Sequence, residues 1–436
     1  MAMGFARRLI PRAVVSWYHL VWAFIAAARY GFPARKLIVI GVTGTNGKSS
    51  TVYLLARILE EGGVRVAAAS SIEFQVGERK WTNAFKMTMP GRGFLQKLLA
   101  DAVRTGCTHA VLEVTSEGIL QHRHRFIDFR AAVFLNLSPE HIERHGSYDA
   151  YRSAKGELFR ALRSTVNNRH PTTIVVNAAD KEAGYFLRFP AGRYVGFRLE
   201  GRGAVAAVPK NGVEVIARNT SATAEGIRFS LGDTVCASPL RGAFHIENAL
   251  AAVATAMTLG VPLSTCAAAL RRIRNIPGRF EEISSENGPA IVVDYAHTPE
   301  ALRSVYAASK QHWSHLVCVL GATGGGRDKW KRAALGKLAA EHCDSIVVAD
   351  EDPYDEDPAA IRRGVMDGAI AASGESRLEE IPDRRLAIRR ALAKAAPGGA
   401  VVITGKGSEP WMVIAKGKKI PWDDRQIARE ELARLE

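Results

Sequence analysis

Residues 37–60 read LIVIGVTGTNGKSSTVYLLARILE, which predicts a β-strand, a glycine-rich loop and an α-helix in succession. Leu37–Ile40 is an apolar, β-branched run that suits a buried parallel strand. The glycines of Gly41–Gly47 are expected to adopt positive φ and to let the backbone approach a ligand closely. From Lys48 apolar residues recur at helical spacing, and we expect the helix to end at Gly62-Gly63.

This order of elements is typical of a site that binds nucleotide phosphates. The helix N-terminus offers free N–H groups and the positive end of the helix dipole to an anion. Lys48 is placed to reach β- and γ-phosphates, and the hydroxyl of Ser49 or Ser50 to bind Mg²⁺. The general pattern has its first glycine where this chain has Val42. An ordinary glycine turn is the alternative, but it leaves the lysine–serine pair unexplained.

Length and composition are those of a multidomain globular protein. The 436 residues should form two or three domains, and the 47% hydrophobic and 24% charged residues are ordinary values. The five cysteines are scattered, and none forms a C-x-x-C pair. This usage favours a reducing cytosol and argues against a disulfide framework and a structural zinc site.

The net charge of +15 is compatible with nucleic acid, a membrane surface or polyanionic small substrates as partners. No nucleic-acid-binding motif accompanies the charge, so we expect no nucleic-acid partner. The excess of positive charge is unevenly distributed along the chain, because residues 1–36 contain six cationic residues and no acidic one.

Residues 1–35 are predicted to be a separate basic and apolar segment. Ala13–Ala28 is almost wholly apolar, is short for a membrane span, and carries no secretory cleavage site. A helix there would fit the interface of a membrane, or equally a docked position on the enzyme body or on a partner protein. Its narrow polar stripe would consist of Arg8, Arg12, Ser16 and His19.

Strands and helices alternate from residue 36 to the end, which predicts an α/β protein. We place a boundary at Ile276-Pro277-Gly278, between domains 36–275 and 276–436. Further strands of the first domain are predicted at Ala110–Val114, Ala131–Leu135 and Thr173–Val176, with a β-ribbon over 205–240 and helices at Tyr148–Arg163 and Ile246–Leu259. Strands of the second domain are predicted at Ala290–Asp294, Leu316–Gly321, Ser345–Ala349 and Ala400–Thr404.

Polar clusters follow two predicted strands of the first domain. One begins with Glu113, and the other runs from Asn136 to Gly146 and includes His141. Ligands of open α/β sheets bind at the carboxyl ends of strands, so both clusters should flank the phosphate loop. A carboxylate and an imidazole there would suit Mg²⁺ beside nucleotide phosphates. Taken alone, Glu113 is better explained as a helix cap and His141 as a packed core histidine.

The chain resembles the Mur ligases, most closely the branch called MurE, nearly continuously over residues 36–436. In the first half the resemblance rests on Gly44-Thr45-Asn46-Gly47-Lys48-Ser49, Thr88-Met89-Pro90, Glu113-Val114-Thr115-Ser116, Asn136-Leu137, Glu140-His141, His145-Gly146 and Tyr151 to Lys155. In the second half it rests on Asn248-Ala249, Gly278-Arg279-Phe280-Glu281, the stretch DYAHTP at 294–299, Gly324 to Lys331, Glu351-Asp352-Pro353, Gly405-Lys406-Gly407 and Glu409.

The resemblance implies a fold and a reaction. The fold is a central P-loop ATPase-type parallel-sheet domain, a C-terminal Rossmann-like ligase domain and a short N-terminal apolar helix. The reaction is ATP-driven, ADP-forming amide formation. The carboxylate of a muramoyl peptide or related cell-wall precursor attacks the γ-phosphate of ATP, and the amino group of an incoming amino acid displaces the acyl phosphate. Such an enzyme is expected in the cytoplasm, with residues 1–35 open to peripheral contact with the inner membrane face.

The resemblance also implies roles for single residues. Lys48 would hold the phosphates together with the loop residues Gly44, Thr45, Asn46, Gly47, Ser49 and Ser50. Ser49 and Glu113 would bind one Mg²⁺, and His141 a second one that a carbamylated Lys155 helps to position. Asn248 would contact adenine, Arg279 the phosphates and Asp294 the ribose. Substrate contacts are implied for Thr88, Thr115, Ser116, Arg327, Asp352, Tyr354, Gly405 and Glu409.

Three departures from the family pattern bear on the substrates. The family's N-terminal uridine-nucleotide domain is absent, and residues 1–36 stand in its place. The diaminopimelate-adding branch carries Asp-Asn-Pro-Arg where this chain has Glu351-Asp352-Pro353-Tyr354, inside an acidic run. Losing that arginine favours a cationic amino acid such as L-lysine or L-ornithine, unless the run is only a solvated loop. The family histidine before Glu409 is replaced by Ser408.

Three other functions fit parts of the sequence. Folylpolyglutamate synthase shares the Gly-Thr-Asn-Gly-Lys loop and lacks a uridine domain, but Asp294–Pro299 reads like MurE. The branch that amidates lipid-linked precursors has a four-cysteine zinc ribbon that this chain lacks. A non-catalytic nucleotide-binding scaffold would not need Lys48, Glu113, His141 and Lys155 together.

Overall fold

Three β-sheets organise the chain, which is described by a computed structural model over residues 11–85, 87–91, 93–140, 142–164, 171–284, 288–326 and 328–434. Eleven strands form the first sheet, six form the second, and two form a small ribbon. The predicted α/β class is confirmed, with a large, mostly parallel sheet and a second sheet domain.

The first domain contains most of the helices and strands. In chain order they are α1 Arg12–Arg29, β1 Ile38–Thr43, α2 Lys48–Glu61, β2 Val66–Ala69, β3 Glu73–Val76, β4 Arg79–Thr82, α3 Phe94–Arg104, β5 His109–Glu113, α4 Ser116–Leu120, β6 Phe129–Phe134, α5 Ile142–His145, α6 Tyr148–Arg160, β7 Thr173–Asn177, α7 Ala183–Leu187, β8 Arg193–Leu199, β9 Gly212–Thr223, β10 Gly226–Leu231, β11 Thr234–Ser238, α8 Phe244–Thr258 and α9 Leu263–Arg272.

The first sheet runs in the order β11-β10-β9-β8-β7-β6-β1-β5-β2-β3-β4. Strands β8, β7, β6, β1, β5 and β2 are parallel, and the predicted β-ribbon, β9 to β11, extends one edge. Helices α2, α8 and α9 cover one face and α3 and α6 the other. The central strands are therefore buried on both faces, which explains their almost continuous apolar sequences.

The second domain repeats the strand–helix alternation. Its elements are β12 Glu281–Ile283, β13 Ala290–Asp294, α10 Pro299–His312, β14 Leu316–Leu320, α11 Lys331–His342, β15 Ser345–Val348, α12 Pro358–Ser373, β16 Leu378–Glu380, α13 Arg384–Lys394, β17 Ala400–Thr404, β18 Trp411–Val413, β19 Lys419–Pro421 and α14 Asp424–Leu432. The six-stranded sheet runs β12-β13-β17-β14-β15-β16, with β12 antiparallel and the others parallel. The domain limits given from the sequence stay predictions.

One cysteine pair departs from the expectation, drawn from cysteine usage, of a chain without disulfides. Cys318 on β14 and Cys343, just before β15, form a disulfide with a Cα–Cα distance of 6.1 Å. The two cysteines are 25 residues apart in sequence, so no local pattern predicts that they pair. They are brought together because β14 lies beside β15 in the sheet. The other three cysteines, Cys107, Cys236 and Cys266, are buried and free.

The predicted N-terminal helix is present as α1, and Arg8 of its expected polar stripe lies outside the described residues. The helix lies on the first domain, since Ala26 and Ala27 are buried and Ser16 Oγ is 2.7 Å from His122 Nε2. In the part of the chain that the structure describes, no helix is long and apolar enough to cross a membrane.

Candidate active site

A cavity of about 800 Å³ lies at the carboxyl ends of the central strands, between the two domains. The glycine loop between β1 and α2 forms one wall, and the loops after β13, β15 and β17 form the opposite one. The structure thus brings most of the predicted site residues together. Those that line the cavity are Thr45, Asn46, Gly47, Lys48, Ser49, Ser50, Thr88, Glu113, Thr115, Asn248, Arg279, Asp294, Asp352, Tyr354, Gly405 and Glu409.

Five other predicted site residues are not among those that line the cavity. Gly44, Ser116 and Lys155 lie behind it, and His141 and Arg327 lie outside the described residues. Ser116 is buried, with its Oγ 3.1 Å from His145 Nε2.

The glycine loop is shaped by contacts with its neighbours. Gly47 caps α2 with φ of 82°, and a β-carbon there would overlap Asn248 Oδ1. The expectation of positive φ at Gly41 and Gly44 was wrong, because Gly47 alone of the three has it. Gly41 is instead required by packing, since its β-carbon would lie 2.7 Å from Leu158 Cδ1. Only Gly47 is therefore needed for its backbone conformation.

Asn136, at the end of β6, holds the loop from the neighbouring strand. Its Oδ1 accepts hydrogen bonds from the backbone N–H groups of Thr45 at 3.1 Å and Asn46 at 2.8 Å. Its Nδ2 donates to Asn46 O at 3.2 Å. We did not predict this role, although the polar cluster after β6 was the available signal. Lys48 Nζ donates to Thr45 O at 2.7 Å, within the same loop.

Glu113 is a buried carboxylate that faces the first turn of α2. Its Oε2 accepts hydrogen bonds from Ser49 Oγ at 2.8 Å, Ser71 N at 2.9 Å and Ser71 Oγ at 3.2 Å. All three donors are neutral, and Ser71, which the sequence did not single out, also contacts Thr88 Oγ1 at 2.7 Å. A carboxylate beside a hydroxyl at a phosphate loop fits Mg²⁺, which takes few protein oxygens and completes its shell with phosphate and water.

A second metal position is not formed by described residues alone. Among them, no group of three or more His, Cys, Asp or Glu side chains could hold a metal ion. His141, the predicted ligand of the second Mg²⁺, lies outside the described residues.

Lys155 on α6 is 1% exposed, and its Nζ donates to Gly44 O at 2.7 Å. The Nζ also lies 4.6 Å from the centre of the Tyr151 ring. Burial, and then the nearby charge of Lys48, hold the pKa of Lys155 well below its usual range. The lowered pKa means that the uncharged amine is easier to form here than on an exposed lysine. Local sequence gave no sign of this environment, which depends on α6 packing under the glycine loop.

The second domain contributes Arg279 and Asp294. Arg279 lies over the Tyr295 ring at 4.4 Å, and its Nη2 donates to Ser49 Oγ at 3.4 Å. Asp294 accepts hydrogen bonds from the backbone N–H groups of Phe280 and Ala296, both at 2.6 Å. Burial raises the pKa of Asp294, and Arg279 opposes that rise. Arg279 therefore connects the domain boundary to the phosphate loop.

Further contacts hold the two domains together around the cavity. His297 Nε2 lies 3.3 Å from Glu140 Oε1, and Asn46 Nδ2 donates to Glu300 Oε2 at 3.4 Å. The backbone N–H of Asp328 donates to Glu143 Oε2 at 2.9 Å. Domain closure at this place would exclude water from reacting groups.

The far end of the cavity contains Asp352, Tyr354 and Glu409, which were predicted to contact substrate. The buried Lys406 donates to both oxygens of Asp352 at 3.1 Å and to Glu409 Oε2 at 2.9 Å. Tyr354 has φ of 53°, a conformation that few non-glycine residues adopt, and its ring lies against Gly325.

Protein groups engage the rest of the acidic run, so it is not simply a solvated loop. Glu351 accepts from Thr323 Oγ1 at 2.5 Å, and Asp350 pairs with Arg362. The remaining partners are Lys416 N for Asp355, Gly326 N and Arg332 for Glu356, and Ala359 N for Asp357.

Known protein families match both halves of the chain. The Mur ligase middle domain matches residues 42–256, and the Mur ligase, glutamate ligase domain matches residues 278–407. The UDP-N-acetylmuramyl-tripeptide synthetase of Roseiflexus sp. (strain RS-1) is 37% identical over 98% of this chain and 84% of its own length. The UDP-N-acetylmuramoyl-L-alanyl-D-glutamate--2,6-diaminopimelate ligase of Geobacillus kaustophilus (strain HTA426) is 34% identical over 96% of this chain and 84% of its own length.

Solved structures give the same assignment. One of a UDP-N-acetylmuramoyl-L-alanyl-D-glutamate--2,6-diaminopimelate ligase has a TM-score of 0.59 and 29% identity over 92% of this chain and 79% of its own. Folylpolyglutamate synthase of Mycobacterium tuberculosis has a TM-score of 0.66 over 88% of this chain and 92% of its own, but at 18% identity it shares only the fold. The chain belongs to the Mur ligase family.

Proposed function

We infer that this chain is an ATP-dependent, ADP-forming ligase that joins an amino acid to the peptide carboxylate of a UDP-linked muramoyl peptide. One observation carries the inference. The phosphate loop of the first domain and Arg279 of the second face one cavity, with Arg279 Nη2 at 3.4 Å from Ser49 Oγ. The names of relatives at 34–37% identity supply the class of acceptor.

The chain's own residues have assignable tasks in this reaction. We assign the γ-phosphate to Lys48 and the loop N–H groups, which offset its negative charge as the acceptor carboxylate attacks. The bond between β- and γ-phosphates breaks, ADP leaves, and an acyl phosphate forms. The amino group of the amino acid then attacks the acyl carbon and phosphate leaves. Arg279, at the domain boundary, neutralises charge on the phosphates. Asn248 is assigned to adenine, Asp294 to ribose, and Thr88, Thr115 and Ser116 to the acceptor.

We assign a Mg²⁺ ion to Ser49 and Glu113, and a second to His141 with Lys155. Bound Mg²⁺ would supply Lewis-acid stabilisation of negative charge on the phosphates. The depressed pKa of Lys155 supports its carbamylation, because an uncharged amine is the form that reacts with CO₂. Carbamylation would replace the buried amine of Lys155 with a negatively charged carbamate.

We propose that the amino acid has a cationic side chain, such as L-lysine or L-ornithine. Tyr354 carries no charge at the place where the diaminopimelate-adding branch has arginine. At the same end of the cavity, one buried lysine, Lys406, pairs with two carboxylates, Asp352 and Glu409, and a third carboxylate, Glu351, also lines the cavity. The net negative charge favours an ammonium group over a distal carboxylate. We assign further contacts with this amino acid to Gly405 and to Arg327.

The reaction is assigned to the cytoplasm, because the family's nucleotide-linked precursors and ATP are found there. A folylpolyglutamate synthase function is not favoured, because that likeness is one of fold alone.

Amino-acid-dependent release of phosphate from ATP tests the function. We expect turnover with a UDP-linked muramoyl dipeptide and L-lysine or L-ornithine, and a loss of at least about a hundredfold in Lys48→Ala. Lys337→Ala, which removes a 65% exposed lysine outside the cavity wall, is the matched control. Equal background for wild type and Lys48→Ala with every acceptor would overturn the ligase function. Faster turnover with diaminopimelate than with L-lysine would overturn only the proposed amino acid.

A further inference from the structure

Helix α1 presents an apolar face away from the protein. Its outward residues recur at intervals of three and four, which places them on one side of the helix. They are Val14 at 56% exposure, Trp17 at 68%, Tyr18 at 54%, Val21 at 45%, Trp22 at 47% and Ile25 at 45%. A contiguous exposed strip of this kind is unusual on a protein surface and marks an interaction site.

The inward side of α1 is fixed to the first domain at several points along its length. Ser16 is bonded to His122 near one end, and Ala26 and Ala27 are buried near the other. Between them Phe24, which is 51% exposed, still contacts the domain, because its ring lies 5.4 Å from the ring of Phe126 in an edge-to-face arrangement. The helix therefore lies flat on the domain, so its apolar strip is held facing outward.

Cationic side chains surround this strip. Arg125, beside Ser16, and Arg29, at the end of the helix, are both exposed. Arg35 is 66% exposed although it lies 3.8 Å from Asp128. The sequence adds cations before the helix and no acidic residue in the first 36 positions. The charge around α1 is thus complementary to an anionic surface.

We propose that α1 binds the surface of a bilayer that contains anionic lipids, with its axis parallel to the membrane plane. Trp17, Tyr18 and Trp22 are the residue types that favour the boundary between headgroups and acyl chains. The contact that we propose is peripheral, with the apolar face of the helix at the boundary between headgroups and acyl chains. A second copy of the chain is a poorer occupant, because a two-fold contact through α1 would bring two cationic segments together.

The position of α1 relates the bilayer to the active site. Ser16 lies against His122, which follows α4, and α4 begins at Ser116 beside the cavity. The helix is thus attached to the part of the first domain that we assign to the acceptor. Docking of α1 would bring that side of the enzyme to the membrane. This goes beyond the ligase function, and it holds whether or not the amino acid is correctly assigned.

Flotation of the full-length protein with protein-free vesicles tests this contact. One set of vesicles contains phosphatidylcholine alone, and the other equal parts of phosphatidylcholine and phosphatidylglycerol. We expect the protein to float with the mixed vesicles, and less at high salt. Trp17→Ser/Trp22→Ser should reduce the vesicle-bound fraction by about tenfold, because the aromatic side chains supply the inserted surface. The matched control is Trp330→Ser, which removes a tryptophan that is 52% exposed on the second domain.

Three outcomes would overturn the proposal. The first is no flotation with mixed vesicles, and the second is equal flotation of wild type and the double tryptophan variant. The third is binding to native membrane vesicles but not to protein-free ones, which would identify a protein partner. Sedimentation of the same variants detects self-association through α1. Far-ultraviolet circular dichroism and ligase activity in solution, both expected to be unchanged in the double variant, exclude misfolding as the cause of lost flotation.

Discussion

Lys406 Nζ lies 3.1 Å from both carboxylate oxygens of Asp352, and the lysine side chain has no exposed surface. The same Nζ donates to Glu409 Oε2 and to Trp411 O. One buried cation therefore holds carboxylates from two loops, after β15 and after β17, at one end of the cavity. One ammonium group is shared by Asp352 and Glu409, so it offsets only part of their charge and leaves this end of the cavity negative.

Lys406→Met should destabilise the protein by about 3–5 kcal/mol, because it leaves Asp352 buried and ionised without its cation. Lys406→Met/Asp352→Asn should recover much of that loss, since the carboxylate that needed a cation is gone. Urea denaturation followed by circular dichroism measures both variants. A double variant no more stable than Lys406→Met would show that the pair does not account for the loss.

Gly47→Ala should lower kcat/KM for ATP by roughly tenfold or more, since left-handed backbone costs a residue with a β-carbon about 1–2 kcal/mol. The new methyl group would also overlap Asn248 Oδ1. Gly63→Ala is the matched control, because Gly63 has φ of 75° but an added β-carbon there meets nothing within 4 Å. Both variants should lose some stability, and only Gly47→Ala should raise KM for ATP. Equal KM values in the two variants would contradict this assignment.

Lys155→Met should stabilise the folded protein at neutral pH while abolishing most turnover. Because burial depresses the pKa of Lys155, the unfolded chain binds more protons than the folded one between the depressed and the usual pKa. The stability of wild type should therefore rise with pH through that window, and the advantage of Lys155→Met should shrink correspondingly. Urea denaturation across pH in CO₂-depleted buffer measures the difference. If Lys155→Met were less stable than wild type at neutral pH, burial of the Lys155 amine would not be destabilising the folded protein.

Glu140→Gln and His297→Gln should each weaken the contact between the domains. A partly exposed pair of this kind contributes about 0.2–1 kcal/mol, so the expected effect on kcat is modest. The two changes should be non-additive in a double-mutant cycle on kcat, because each removes the same contact. Fully additive effects would mean that the pair is not coupled during turnover. Lys337→Gln, on the exposed face of α11, provides a control for loss of a surface charge.

Much of the fold followed from patterns that are local in sequence. The strand, glycine loop and helix at residues 37–61 were predicted from apolar periodicity and glycine placement, and the helix ends at Glu61 as expected. Four strands of the second domain, β13, β14, β15 and β17, were equally visible, because each is a short apolar run that is buried on both faces. Local patterns were sufficient wherever the conformation of a segment does not depend on contacts with a distant part of the chain.

Other features depended on contacts between distant parts of the chain. Cys318 and Cys343 meet only because β14 pairs with β15. Asn136 holds the phosphate loop and Ser71 holds Glu113, and neither belongs to a local motif that specifies the contact. The orientation of α1 on the protein could not be predicted either. Periodicity shows which residues share one side of a helix, but not whether that side faces the protein or the solvent.

By itself the sequence determined the phosphate loop, the α/β class and the set of residue types available for ligation. The tertiary structure decided which charges neutralise one another. Asp352 read alone indicated attraction for a cationic substrate, and only the fold placed Lys406 against it. The physical reason is that a charge acts through the distances and the burial around it, and both are set by chain segments far apart in the sequence.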